Sequence, residues 1–142
     1  MTAHAIAERL GGRKVLKTDV RSDLELARAI HGGLPTRAVD EVLDSGLLTA
    51  GELYELVIPR RTLTHRRKQK TLTAEQSDRL ARVVRLMTRA EEALDDRDRA
   101  ARWLRRPNRA LRGGSPIDLL ESDIGARTVE KLLLRIEHGV YS

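Results

Sequence analysis

Cysteine and phenylalanine are both absent from this 142-residue chain; tryptophan occurs once and tyrosine twice, so aromatics reach only 2%. Without thiols there is no disulfide framework and no thiolate metal site, which fits a reducing cytoplasm. With so few rings the core must be aliphatic, built from Leu, Val, Ile and Ala. No apolar run approaches the ~18 residues of a membrane span, and the first residues carry no apolar leader, so neither a membrane partner nor export is expected. Strand-type alternation, internal repeats and low-complexity segments are missing too. No Gly-rich phosphate loop follows a strand, so no cofactor is expected.

What remains is helix-forming and basic. Hydrophobic residues make up 40%, charged residues 34%, and the formal net charge is +6. Aliphatics mixed with Arg and Glu favour helices, and a basic chain suggests a polyanionic partner, nucleic acid first. The distribution is sharper than the total. Residues 22–58 hold seven acids against two bases, whereas 59–70 hold six bases and no acid. Such a switch marks one face of one element for an anion.

The helical pattern can be followed along the chain. Residues 1–21, with Gly11-Gly12 and a thin apolar pattern, read as a poorly ordered arm or a short leading helix. Ser22 caps a helix over 23–31 whose apolar positions are Leu24, Ala27 and Ile30. Pro35 opens another, with Val39, Val42 and Leu43 on one face. Thr49 caps a short helix carrying Leu53, Leu56 and Val57. Thr73 and Gln76 form a capping box for a long helix with the stripe Leu80, Val83, Val84, Met87, Ala90 and Leu94. Asp95, Asp96 and Asp98 lead the next, where Ala100, Ala101, Trp103 and Leu104 face the core. Ser115-Pro116 starts a short helix gripping through Leu119-Leu120. Asp123 leads the last, with Val129, Leu132, Leu133 and Ile136 inward and Gly139 as its stop. The expected fold is all-α: an N-terminal arm (1–21), a helix-turn-helix domain (22–70) and a small helical C-terminal domain (71–142).

Thr49 to Arg67 has the pattern of a helix-turn-helix. A short helix anchored by Leu53 and Leu56 breaks at Ile58-Pro59, and a second, anchored by Leu63, presents Arg60, Arg61, Thr62, Thr64, His65, Arg66 and Arg67. A recognition helix aims its N-terminal residues at base edges, where Arg pairs with guanine and Thr meets a thymine methyl. Lys68 and Lys70, past these, suit phosphates. One histidine is no metal site, since no second ligand stands at helical spacing from His65. An operator read this way is usually bound by a two-fold dimer, so a homodimer is expected.

The C-terminal third joins these features into a family resemblance. Trp103-Leu104, Pro107-Asn108 and the closing Arg135-Ile136-Glu137-His138-Gly139-Val140-Tyr141, together with Leu72, residues Glu75 to Arg82, Ala93 and Ala100-Ala101, resemble the toxin-binding domain of the Xre/MbcA/ParS antitoxins. Gly33-Leu34-Pro35 and Arg60-Arg61-Thr62-Leu63 with Arg66-Arg67 resemble that family's helix-turn-helix half. Ile58-Pro59 departs from it, because a glycine-containing turn is usual there. The resemblance implies a RES-domain toxin as partner, one that consumes NAD or transfers ADP-ribose from it, blocked by the antitoxin's C-terminal region, and an operon repressed by its own product. It makes Arg135, Glu137, His138, Val140, Tyr141 and Ser142 the candidate toxin contacts. A cationic pyrophosphate pocket would take the Ser142 carboxylate, and Tyr141 is a typical interface anchor.

Two other readings compete. Glu130 and Glu137 lie two helical turns apart and could form an acid/base pair, but no His, Ser or Asp constellation stands beside them and solvated helix charges explain them better, so no enzyme is expected. A free-standing transcriptional regulator would share the DNA-binding half and use the rest to dimerise.

Overall fold

The computed structural model describes residues 2–139. The chain forms two compact units, Met1–Val84 and Arg85–Ser142. Among the described residues regular structure is helical throughout, with one isolated β-bridge pairing Pro35 with Thr71.

The first unit begins with two short helices, α1 (Ala3–Arg9) and α2 (Gly12–Leu16). The sequence supports either a loose arm or one leading helix here; the structure has two packed helices. Ile6, Leu10, Val15, Leu16 and Val20 are all buried. The break at Gly11 and Gly12, both at positive φ, divides the apolar residues between helices too short to display a full period.

Helix α3 (Asp23–His31) starts at Ser22, whose hydroxyl accepts from the Glu25 N–H. Its inward stripe differs from the expected one. Leu24 is 60% exposed and Ala27 is exposed, while Leu26 is buried with Ala29 and Ile30 beside it. Both stripes have helical spacing, and the choice between them is made by packing. Helix α4 (Arg37–Asp44) starts two residues beyond Pro35, at the Thr36 cap, and buries Ala38, Val39 and Val42.

The segment between α3 and α4 is fastened to a distant one. The Leu72 N–H donates to the Leu34 carbonyl at 2.8 Å, and the Thr36 N–H donates to the Lys70 carbonyl at 3.1 Å. The Leu34 N–H donates to the buried Ser77 hydroxyl at 2.7 Å, which in turn donates to the Thr73 carbonyl. Gly33 sits at φ +88° against the Leu72 carbonyl, where any Cβ would collide. These bonds tie residues 70–77 to the segment before α4, and the compact units divide at 84/85.

Helix α5 (Ala50–Leu56) carries a complete capping box between Thr49 and Glu52. Helix α6 (Arg60–Gln69) follows, then α7 (Ala74–Leu94), which runs through the division between the units. The Thr73–Gln76 capping box forms reciprocally, and the stripe Leu80, Val83, Val84, Met87, Ala90 and Leu94 is buried throughout.

The second unit continues with α8 (Arg97–Arg105), capped by the Asp96 carboxylate, two 3₁₀ segments (Arg109–Leu111 and Pro116–Glu121) and α9 (Asp123–Glu137). Ser115 sits at the expected cap position, but its hydroxyl donates to the Arg105 carbonyl instead of capping. The second 3₁₀ segment packs on α9, and Ile117 and Leu120 of the one and Ala126, Val129 and Leu133 of the other are buried. Trp103, expected in the core, is only half-buried; Ala100 and Leu104 fill that place.

Candidate DNA and partner interfaces

Helices α5 and α6 are joined by three residues, Val57 to Pro59. The Val57 and Ile58 N–H groups both donate to the Leu53 carbonyl, closing α5, and Leu56, Val57 and Ile58 are buried. No turn residue has positive φ, Val57 lying at −117° and Pro59 at −60°. The turn therefore needs no glycine, which accounts for the departure at Ile58-Pro59.

Leu63 is the buried anchor of α6. Opposite it, Arg60, Arg61, Thr64, His65 and Lys68 are exposed at spacings of one, four, five and eight, which is a single helix face. The side chains of Arg60, Arg61, His65 and Lys68 have no intramolecular partner among the described residues. The Thr64 hydroxyl donates back to the Arg60 carbonyl at 3.1 Å. Thr62 is half-buried at the edge.

The other two expected DNA contacts are engaged within the unit. Arg67 grips Asp40 of α4 through both terminal nitrogens, at 2.9 and 3.2 Å, and the Arg66 Nε donates to the Thr71 carbonyl at 2.8 Å. They stand three and four residues beyond Leu63, so they turn toward the unit's own surface. The Arg67–Asp40 pair is about two-fifths exposed and contributes only ~0–1 kcal/mol; its effect is to orient α6 against α4.

In the second unit two ion pairs tie α7 to α9. The Arg85 guanidinium meets Glu130 at 2.5 Å, and Arg89 binds Glu137 through two hydrogen bonds at 2.6 and 3.0 Å. The suspected acid/base couple is thus two carboxylates in separate clamps. Glu137, a candidate toxin contact by resemblance, has its carboxylate occupied by Arg89. Arg135 and His138 are exposed, while Val140, Tyr141 and Ser142 lie outside the described residues. On the outer surface of α9, Ile124 is 76% and Leu134 42% exposed, so this helix offers apolar area as well as charge.

The hydrogen bonds from Arg89 hold the Glu137 carboxyl below its ordinary range, against a smaller opposing effect of burial. A depressed carboxyl contributes stability above its unfolded pKa, about 4.3, and loses it as pH falls through the lower folded value. Acidification below about pH 4 should therefore loosen the last turn of α9. The probe is exchange of the His138 amide, which donates to the Leu134 carbonyl. Exchange should accelerate relative to Glu137→Gln, which lacks the titration; parallel profiles for the two proteins would refute the clamp.

The C-terminal end of α8 borders a cleft of about 490 Å³ lined by Leu94, Arg99, Arg102, Trp103, Arg106, Pro107 and Asn108. The sequence held a signal for it that the core assignment of Trp103 obscured: residues 97–112 carry seven arginines against one acid.

A helix-turn-helix with a free cationic face, followed by a small helical unit with exposed apolar and basic surface, is the architecture of a DNA-binding regulator that carries a second module. Comparison with known proteins makes this particular. Residues 25–85 match the antitoxin Xre-like helix-turn-helix domain, and residues 89–139 match the antitoxin Xre/MbcA/ParS C-terminal toxin-binding domain. The chain is 35% identical to an antitoxin Xre of Photorhabdus laumondii, over 80% of this chain and 78% of the relative. It is 32% identical to an antitoxin Xre of Pseudomonas putida, over 85% and 76%. An antitoxin Xre of Yersinia enterocolitica is 37% identical, over 82% and 81%. The chain belongs to the Xre/MbcA/ParS family of antitoxins, which are binding proteins rather than enzymes. Among its described residues no helix is long and apolar enough to cross a membrane.

Proposed function

We propose that this antitoxin neutralises a RES-domain toxin encoded beside it and represses their shared operon as a cytoplasmic homodimer. The observation that carries the reading is the succession of the two matched domains along one chain. The free face of α6 supports the DNA-binding part: Arg60 and Arg61 stand at its N-terminal end, where base edges are met, and Lys68 stands a further two turns on. Two copies related by a two-fold axis would meet two operator half-sites. The toxin-directed part rests on the segment after Glu137. The Arg89 clamp holds the last turn of α9 in place, so residues beyond it leave a fixed point with His138 and Arg135 beside them. Blocking an NAD pocket with this segment, while the rest of the domain holds the toxin surface, makes inhibition separable from binding.

Co-expression with the adjacent gene and light scattering of the purified complex test the pairing and its stoichiometry. Deleting Gly139–Ser142 tests the plug. The truncated protein should still bind toxin, because a standard interface gathers ~20–30 residues a side. It should protect cells poorly and leave NAD consumption largely restored. Full suppression of NAD consumption by the truncated protein, at equal occupancy, would eliminate the segment as the plug.

A further inference from the structure

We propose that the cleft beside Trp103 is a docking site for an acidic segment of the toxin partner, one that inserts an apolar side chain between flanking carboxylates. The proposal rests on the toxin-binding reading above and names a contact separate from the segment after Glu137.

Helix α8 has two distinct sides. Ala100 and Leu104 are buried; Arg99, Arg102, Trp103 and Arg106 follow one another at spacings of three, four and seven and line the cleft. The chain's only tryptophan therefore forms the wall of an open cavity of about 490 Å³ instead of filling the core. Leu94 and Pro107 add apolar lining.

The arginines of this unit fall into two groups, paired and unpaired. Arg85, Arg89, Arg97 and Arg127 are each paired with a carboxylate, to Glu130, Glu137, Glu91 and Asp123. The guanidiniums of Arg99, Arg102 and Arg106 have no partner among the described residues. Like charges three and four residues apart repel along a helix, so the stripe gains from an anion supplied from outside.

The mixture of wall and charge selects the occupant. Planar guanidiniums take carboxylates through paired hydrogen bonds. Tryptophan and arginine are the residues that most often anchor protein interfaces. A phosphate backbone would use the arginines but has no need of an apolar wall formed by Leu94, Trp103 and Pro107. The match of residues 89–139 to a toxin-binding domain places the cleft within a part of the family that receives a protein.

The test uses the full-length antitoxin and the adjacent toxin, with affinity measured by calorimetry. Trp103→Ala and the double variant Arg102→Glu/Arg106→Glu should each lose about 30-fold or more in affinity. Arg109→Glu, in the same basic stretch but outside the cleft, should change it less than about threefold. Independently of any substitution, 5-fluorotryptophan incorporated at Trp103 should shift its fluorine resonance when toxin is added. Wild-type affinity retained by both cleft variants, or an unmoved fluorine signal in a saturated complex, would overturn the docking site while leaving the toxin pairing intact. A wild-type antitoxin that does not bind the toxin would overturn the pairing and this proposal together. Loss of operator binding with toxin affinity unchanged would overturn it in favour of nucleic acid.

Discussion

Replacing Gly125 with alanine should lower the melting temperature of the second unit by about 10 °C or more. Gly125 lies in the first turn of α9, whose cap is the Ser122 hydroxyl. A Cβ there would fall inside the contact distance of the Leu119 carbonyl, and also 2.9 Å from the Ser122 Oγ. The nearest colliding atoms are backbone, which cannot rotate away, and the Ser122 hydroxyl could turn aside only by giving up its cap. Relief requires the 3₁₀ segment Pro116–Glu121 to retreat from α9, opening the packing of Ile117 and Leu120. Overpacking of this kind costs about 1–3 kcal/mol, and in a unit of this size each kcal/mol is worth ~4–8 °C. Gly51→Ala is the matched control, since that helical glycine has open space around it and ordinary backbone geometry. It should be neutral or slightly stabilising. Calorimetry of the two variants decides: equal melting curves would mean that α9 and the 3₁₀ segment do not approach as described. Toxin affinity should fall with the Gly125 variant and persist with the control.

The double substitution Arg60→Ala/Arg61→Ala should reduce specific operator affinity by about 30-fold or more. Each good arginine–base pair discriminates by about 1–3 kcal/mol, and 1.4 kcal/mol is a factor of ten. Both arginines lie on the exposed face of α6 without partners among the described residues, so removing them leaves the fold intact. Lys68→Ala should act differently, weakening all DNA sequences alike and lowering the slope of log affinity against log salt by about 0.9. Arg67→Ala should have a smaller direct effect than either N-terminal arginine, because its guanidinium already holds Asp40. Fluorescence anisotropy with the protein's own promoter and a scrambled duplex, across a salt series, separates these outcomes. Unchanged specific affinity in the double variant would remove α6 as the reading helix.

The helices themselves were legible in the chain because their signals are local. The Thr49–Glu52 and Thr73–Gln76 boxes, the Ser22 and Asp96 caps and the stripe of α7 each involve residues no more than a few turns apart. Together with the break at Ile58-Pro59 and the basic second helix of the helix-turn-helix they determined an all-α fold, the position of α5 and α6 and the family resemblance. What the tertiary structure decided was which groups face one another across the chain. Asp40 takes Arg67 out of the free face from 27 residues away, Ser77 receives Leu34 from 43, and Arg89 claims Glu137 from 48. Packing likewise chose Leu26 over Leu24, folded residues 3–16 onto the first unit and left Trp103 at the wall of a cleft. Periodicity states that a helix has an apolar side; only its neighbours determine which of two overlapping stripes is covered, and which charges are already paired when a partner arrives.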